Sequence, residues 1–141
     1  MGTNWVGFAG SPKAPAGAVI VETATMTPSR PVAECVALLT TTAGLAAWLG
    51  AAAGGDVRRG ATLHLETPSG GFDGTFTVLD IPRRVALVTD RHGEIDIRLD
   101  VRAAVRIDVT VRRLVPAGDD ADAIRGHLIA LLGDLRTALD A

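Results

Sequence analysis

The chain closes on DDADAIRGHLIALLGDLRTALDA, residues 119–141, in which Ile124, Leu128, Leu131, Leu132, Leu135 and Leu139 recur at steps of three and four. That spacing is one apolar stripe of an α-helix. Full burial of each such side chain is worth about 1.5–3 kcal/mol, and the helix gains it only by lying on an apolar surface. The residues just upstream supply one. Ile95, Ile97, Leu99 and Val101, then Val105, Ile107, Val109 and Val111, alternate with Asp96, Arg98, Asp100, Arg102, Arg106, Asp108, Thr110 and Arg112. Period-two alternation of apolar and charged residues predicts an antiparallel strand pair with one face on the core and one in water. The terminal helix is therefore expected to lie in the hollow of a curved sheet.

Outward from that pair, the chain reads as strand, two short helices, five strands and a long helix. Residues 18–27 (AVIVETATMT) are β-branched and predict the first strand. Thr27-Pro28-Ser29-Arg30-Pro31 breaks it, with Ser29 or Thr27 placed to cap a helix whose first turn accepts Pro31. Val32, Cys35, Val36 and Leu39 share one side of that helix, which is expected to stop in Thr40-Thr41-Thr42. A second short helix is expected over 43–49. Strands are expected over 61–67, 74–81, 85–90, 94–103 and 105–114, separated by Pro68-Ser69-Gly70-Gly71, Pro82-Arg83-Arg84, Arg91-His92-Gly93 and a tight Ala103-Ala104 hairpin. Pro116 to Asp120 ends the last strand and caps the terminal helix. Six antiparallel strands gripping one helix make an α+β domain over residues 18–141, preceded by a Gly-, Ala- and Pro-rich arm over residues 1–17.

A chain of 141 residues that is 48% hydrophobic suffices for one full core. Its net charge of −2 offers nothing to nucleic acid or an anionic membrane, and the strand charges alternate in sign. Asp96, Asp100, Arg98 and Arg102 are expected to pair across strands with Arg106, Asp108 and Arg112. Cys35 is the single cysteine and sits among Val32, Val36 and Leu39, as a small core residue would. With no internal disulfide available, no leader pattern and no run near the roughly twenty apolar residues of a spanning helix, the expectation is a cytoplasmic protein outside the membrane.

The order of elements resembles the helix-grip fold of the START and Bet v 1-like superfamily (SRPBCC), and the local motifs resemble its branch named after the activator of the Hsp90 ATPase. The resemblance runs over residues 19–139. It is carried by Thr27-Pro28 and the helix after it, by Trp48-Leu49, by Gly60, and by Gly74-Thr75-Phe76-Thr77-Val78-Leu79-Asp80-Ile81-Pro82-Arg83-Arg84-Val85. Three positions depart from the branch's pattern: Gly126-His127 stands where a Gly-Trp pair is common, and Thr89 and Val111 stand where an aromatic and a histidine are common. Each removes ring volume from the side facing the expected cavity.

A cavity between sheet and helix would be walled by Leu63, Leu65, Phe76, Leu87, Ile95, Ile97, Leu99, Val105, Ile107, Val109 and the helix stripe, with Trp48 at its rim as lid or anchor. So apolar a wall suits a hydrophobic or aromatic small molecule. The expected ligand-binding residues are Trp48, Leu65, Phe76, Leu87, Thr89, Ile97, Leu99, Ile107, His127 and Leu131; the alternative is that these side chains simply fill the core. His127 lies about ninety degrees from the stripe centre, at the cavity edge. His64 is expected to point outward and His92 to lie in a turn. The three histidines share no metal-ligand spacing and no phosphate-binding loop is present, so neither metal nor cofactor is expected.

No catalytic residue is assigned. A polyketide cyclase or aromatase, which the superfamily includes, would draw on His127, Thr89 and Asp90. The branch name implies a second alternative, a chaperone-associated protein. Trp5 and Phe8 on the arm, together with an open sheet edge, would suit a homodimer.

Overall fold

Alternation in VIVETATM makes strand β1 (Val19–Met26), with Ile20 and Met26 buried. The computed structural model describes residues 17–141, so the arm with Trp5 and Phe8 lies outside the described residues. Helix α1 (Val32–Thr40) follows. Its N-cap is Pro31, at φ −57° and ψ 151°, with no side-chain cap, in place of the expected Ser29 or Thr27. The fixed proline φ sets the entry angle, and the Pro31 carbonyl accepts from the N–H groups of Glu34 and Cys35 at 3.0 and 3.2 Å.

The Thr41 hydroxyl then accepts from the Gly44 N–H at 2.9 Å and starts α2 (Thr42–Ala46) one residue early. A Cβ on Gly44 would sit 2.2 Å from the Ala37 carbonyl oxygen, so the two helices touch backbone to backbone there. The second helix ends three residues short of expectation because the chain turns into an unforeseen strand, β2 (Ala51–Ala52), paired with Leu65 and Glu66. Two alanines carry no alternation to read. Their pairing is purely a backbone matter.

The remaining strands are β3 (Thr62–Thr67), β4 (Gly70–Asp80), β5 (Arg84–Thr89), β6 (Gly93–Asp100) and β7 (Arg106–Leu114), followed by α3 (Ala121–Asp140). Strand β4 begins at Gly70, because Pro68 and Ser69 alone make the turn and Thr67 pairs with Gly70. Strand β6 stops at Asp100, short of the expected Ala103. The Asp100 carboxylate accepts from the Arg102 backbone N–H at 3.2 Å and from its guanidinium, which draws the chain out of the ladder and opens the hairpin into a loop.

The seven strands, against the six expected, pair antiparallel throughout in the order β1-β7-β6-β5-β4-β3-β2, and one isolated parallel bridge joins Arg59 to Phe76. Leu128, Leu131, Leu132, Leu135 and Leu139 of α3 are buried in one cluster with Leu63, Leu65, Phe76, Leu87, Ile95, Ile97, Ile107 and Val109 of the sheet; Ile124 packs at its margin. Asp120 caps α3, its carboxylate accepting from Asp122 and Ala123 N–H groups. Trp48 is an anchor, its indole N–H donating to the Leu38 carbonyl at 2.9 Å. This is an α+β helix-grip fold. No helix among the described residues is long and apolar enough to cross a membrane.

The outer-face charges pair differently from expectation. Arg84 of β5 donates bidentately to Asp96 at 3.0 and 2.9 Å, while Arg102–Asp100 and Arg106–Asp108 run along the chain instead of between β6 and β7. Cross-strand register puts Arg98 beside Asp108, but Arg98 reaches Asp96 at 3.6 Å and Asp108 accepts from Thr25. Side chains two residues apart share one face of a strand, so a long arginine folds back onto its neighbour as readily as across.

Candidate functional site

At one end of the grip the sheet and α3 do not close. A cleft of about 510 Å3 is left between the chain leaving α2, the β3–β4 turn, the β5–β6 turn and α3. Its apolar side is Trp48, Leu49, Ala130 and Leu131; Glu66, Thr67, Ser69, Arg91, His92, His127 and Asp134 make the polar side. A smaller recess of about 330 Å3, lined by Ser69, Arg91, Arg113, Ala123, Ile124 and His127, shares Ser69, Arg91 and His127 with it.

The β5–β6 turn builds the polar side. The Thr89 hydroxyl accepts from the His92 N–H at 2.8 Å and donates to the Gly93 carbonyl at 3.3 Å, which fixes the turn. Gly93 has φ +80°, and a Cβ there would lie 2.3 Å from the Arg112 carbonyl oxygen and 2.9 Å from Arg113 Cα. Only glycine lets this turn lie directly on β7. The turn delivers His92, 5% exposed, between two rings. Phe72 meets it edge-on at 5.1 Å and His127 stacks on it at 4.9 Å and 17°. His92 Nδ1 and His127 Nε2 share a hydrogen bond of 3.0 Å.

Burial pushes His92 down to about 3, helped by the nearby positive charge of His127, Arg91 and Arg113. His127 is lowered as well, by desolvation first and then by Arg113 and Arg91. Both rings are therefore uncharged at neutral pH, with one N–H between them. Arg91 is pinned across the cleft. Its Nη1 donates to Thr67 and Ser69 hydroxyls at 2.8 and 3.2 Å, and its guanidinium lies 4.7 Å from the centre of the Phe72 ring.

Of the residues read from sequence as ligand-binding, Trp48, His127 and Leu131 line this cleft. Leu65, Phe76, Leu87, Ile97, Leu99 and Ile107 sit away from it, buried in the core cluster, and Thr89 braces the turn beneath it. His64 points outward between Asp73 and Glu66, and these two carboxylates raise its pKa. Among the described residues no group of three or more His, Cys, Asp or Glu gathers as a metal site would.

The sequence reading missed His92, Arg91, Ser69 and Arg113. For Arg113 a signal existed. The inward parity of Ile107, Val109 and Val111 continues to position 113, placing a charged residue on the core face of its strand.

No protein-family model and no curated protein matches the chain. Solved structures do. A Bacillus halodurans protein solved in solution is 15% identical over 92% of this chain and all of its own, with a TM-score of 0.66. The Aha1 dimer from Colwellia psychrerythraea is 21% identical over 86% of this chain and 96% of its own, at a TM-score of 0.65. DynU16, from the dynemicin biosynthetic locus, is 17% identical over 86% of this chain, at 0.64, and this chain spans 46% of its length. The architecture shared with these structures is the helix-grip fold.

Proposed function

We propose that the chain is a cytoplasmic binding module for a small molecule with an apolar or aromatic body, seated in the cleft at the open end of the grip. One observation carries this: an uncharged, stacked His92–His127 pair faces a recess of about 510 Å3 whose other side is Trp48 and Leu131. That volume falls in the usual range for small-molecule sites, and polar groups facing an apolar wall are what such sites use to orient a ligand. The site lies beside the middle of α3, where Leu131 alone of the stripe's leucines reaches it, while Leu128, Leu132, Leu135 and Leu139 pack in the core.

A thermal-shift and native mass-spectrometry screen of lipids and aromatic metabolites tests the reading. A true ligand at a hundred times its Kd raises stability by about 2.7 kcal/mol. An adduct whose thermal shift is lost in Leu131→Arg is the expected result. Absence of any shift or adduct across the screen contradicts it.

A homodimer is proposed alongside. The Colwellia neighbour is a dimer, and β1 lies at the edge of the sheet, paired on one side only by β7. Light scattering of the whole chain beside one beginning at Ala18 is expected to give a dimer that the arm strengthens; monomer from both overturns it.

A further inference from the structure

The smaller recess is lined by two arginines and no carboxylate. Arg91 and Arg113 both line the smaller recess beside His127, and neither forms an ion pair among the described residues. Arg113 stands on the inward parity of β7, and its Nε is buried without a hydrogen-bond partner. A buried donor left unmade is costly, and a guanidinium on the core face of a strand ordinarily meets a carboxylate. The nearest candidates on the cleft walls are occupied or remote. Glu66 is bonded to His64, and Asp134 lies two helical turns along α3 from His127, of the order of 10 Å away. Glu22 is taken by Arg125.

Resting on the binding reading above, we infer that the ligand is an organic acid, its carboxylate held between Arg91 and Arg113 beside His127 and its apolar or aromatic body lying along Leu131 and Trp48. The two recesses share Ser69, Arg91 and His127, so one molecule can span both. The Ser69 hydroxyl accepts from Arg91 and lies 3.1 Å from the Thr67 hydroxyl, which helps hold the guanidinium in place. Ile124 and Ala123 form the far wall of the recess, which is open to solvent on its outer side.

Isothermal titration of the full chain with 2-naphthoate, 2-naphthamide, dodecanoate and inorganic phosphate tests this, with Arg113→Gln as the variant and its unfolding midpoint as the control for folding. Expected is binding of naphthoate or dodecanoate about tenfold or more tighter than the neutral amide, with that margin lost in Arg113→Gln. Preference for dodecanoate over naphthoate identifies an acyl chain as the body, and the converse an aromatic one; either supports the inference. Equal binding of acid and amide, or an Arg113→Gln variant that keeps the margin, overturns it and leaves the binding reading standing. Phosphate binding as tightly as the organic acids also overturns it, in favour of a simple anion site. Binding of none of the four overturns both.

Discussion

His92 concentrates the account at the scale of one residue. Its ring is enclosed by Phe72, His127 and the backbone of its own turn, and burial holds it near 3. The unfolded chain takes up the proton near pH 6.5 and the folded one only near 3, so below 6.5 the unfolded state binds more protons and stability falls with pH. His92 thus stabilises the fold above pH 6.5, and that contribution is lost as pH falls toward 3. From pH 7 to pH 5 the loss is about 1–2 kcal/mol. His64 has the opposite sign: its raised pKa gives stability that is full below 6.5 and lost as pH rises through the folded value. Comparing variants isolates His92. Urea unfolding at pH 7 and pH 5 is expected to show most of the acid loss vanish in His92→Phe, whose ring fills the same slot; parallel pH curves for the two proteins contradict the assignment. The sequence put His92 in a turn and rightly so, but nothing local shows that Gly93 drops this turn onto Arg112 and Arg113, which is what buries the ring.

At the scale of the element, α3 separates packing from propensity. Leu135 is 1% exposed in the core cluster, and Leu135→Ala is expected to cost about 2–5 kcal/mol by lost transfer and a residual cavity. Gly133 lies on the same helix with nothing within 4 Å of where a Cβ would be, so Gly133→Ala should raise stability by about 0.5–1 kcal/mol. Chemical denaturation of the two variants checks both signs; a stabilising Leu135→Ala or a destabilising Gly133→Ala would place the helix otherwise. The β5–β6 turn gives a third case. Gly93→Ala meets the Arg112 carbonyl oxygen at 2.3 Å at a φ of +80° and is expected to lower the unfolding midpoint and weaken the cleft together. The leucine stripe was legible because period 3.6 needs no partner to be read. The ends of elements were not. They turned on single side-chain bonds, Thr41 to Gly44 and Asp100 to Arg102, and on a two-alanine strand that has no pattern.

For the whole molecule, alternation and helical periodicity agreed on one answer, a sheet curved around the last helix, and the coordinates share that architecture. The open end of the grip was less open to reading. Sequence pointed at the apolar inner wall, whose Leu65, Phe76, Leu87, Ile97, Leu99 and Ile107 fill the core. The open cleft is assembled from Ser69, Arg91, His92, Arg113 and His127, residues scattered along the chain that strand register and one glycine turn bring together. Only His127 among them was singled out beforehand, from its angle on the helix. The central claim is that this end of the grip, and not the interior under the leucine stripe, is where a ligand sits. Amide chemical-shift mapping of the 15N-labelled full chain titrated with 2-naphthoate tests it most directly. The account predicts saturable shifts confined to the β3–β4 turn at Thr67–Ser69, the β5–β6 turn at Arg91–Gly93, Arg113 and the α3 face from Ala123 to Leu131; shifts centred on Phe76, Ile97 and Ile107, or none at all, would contradict it.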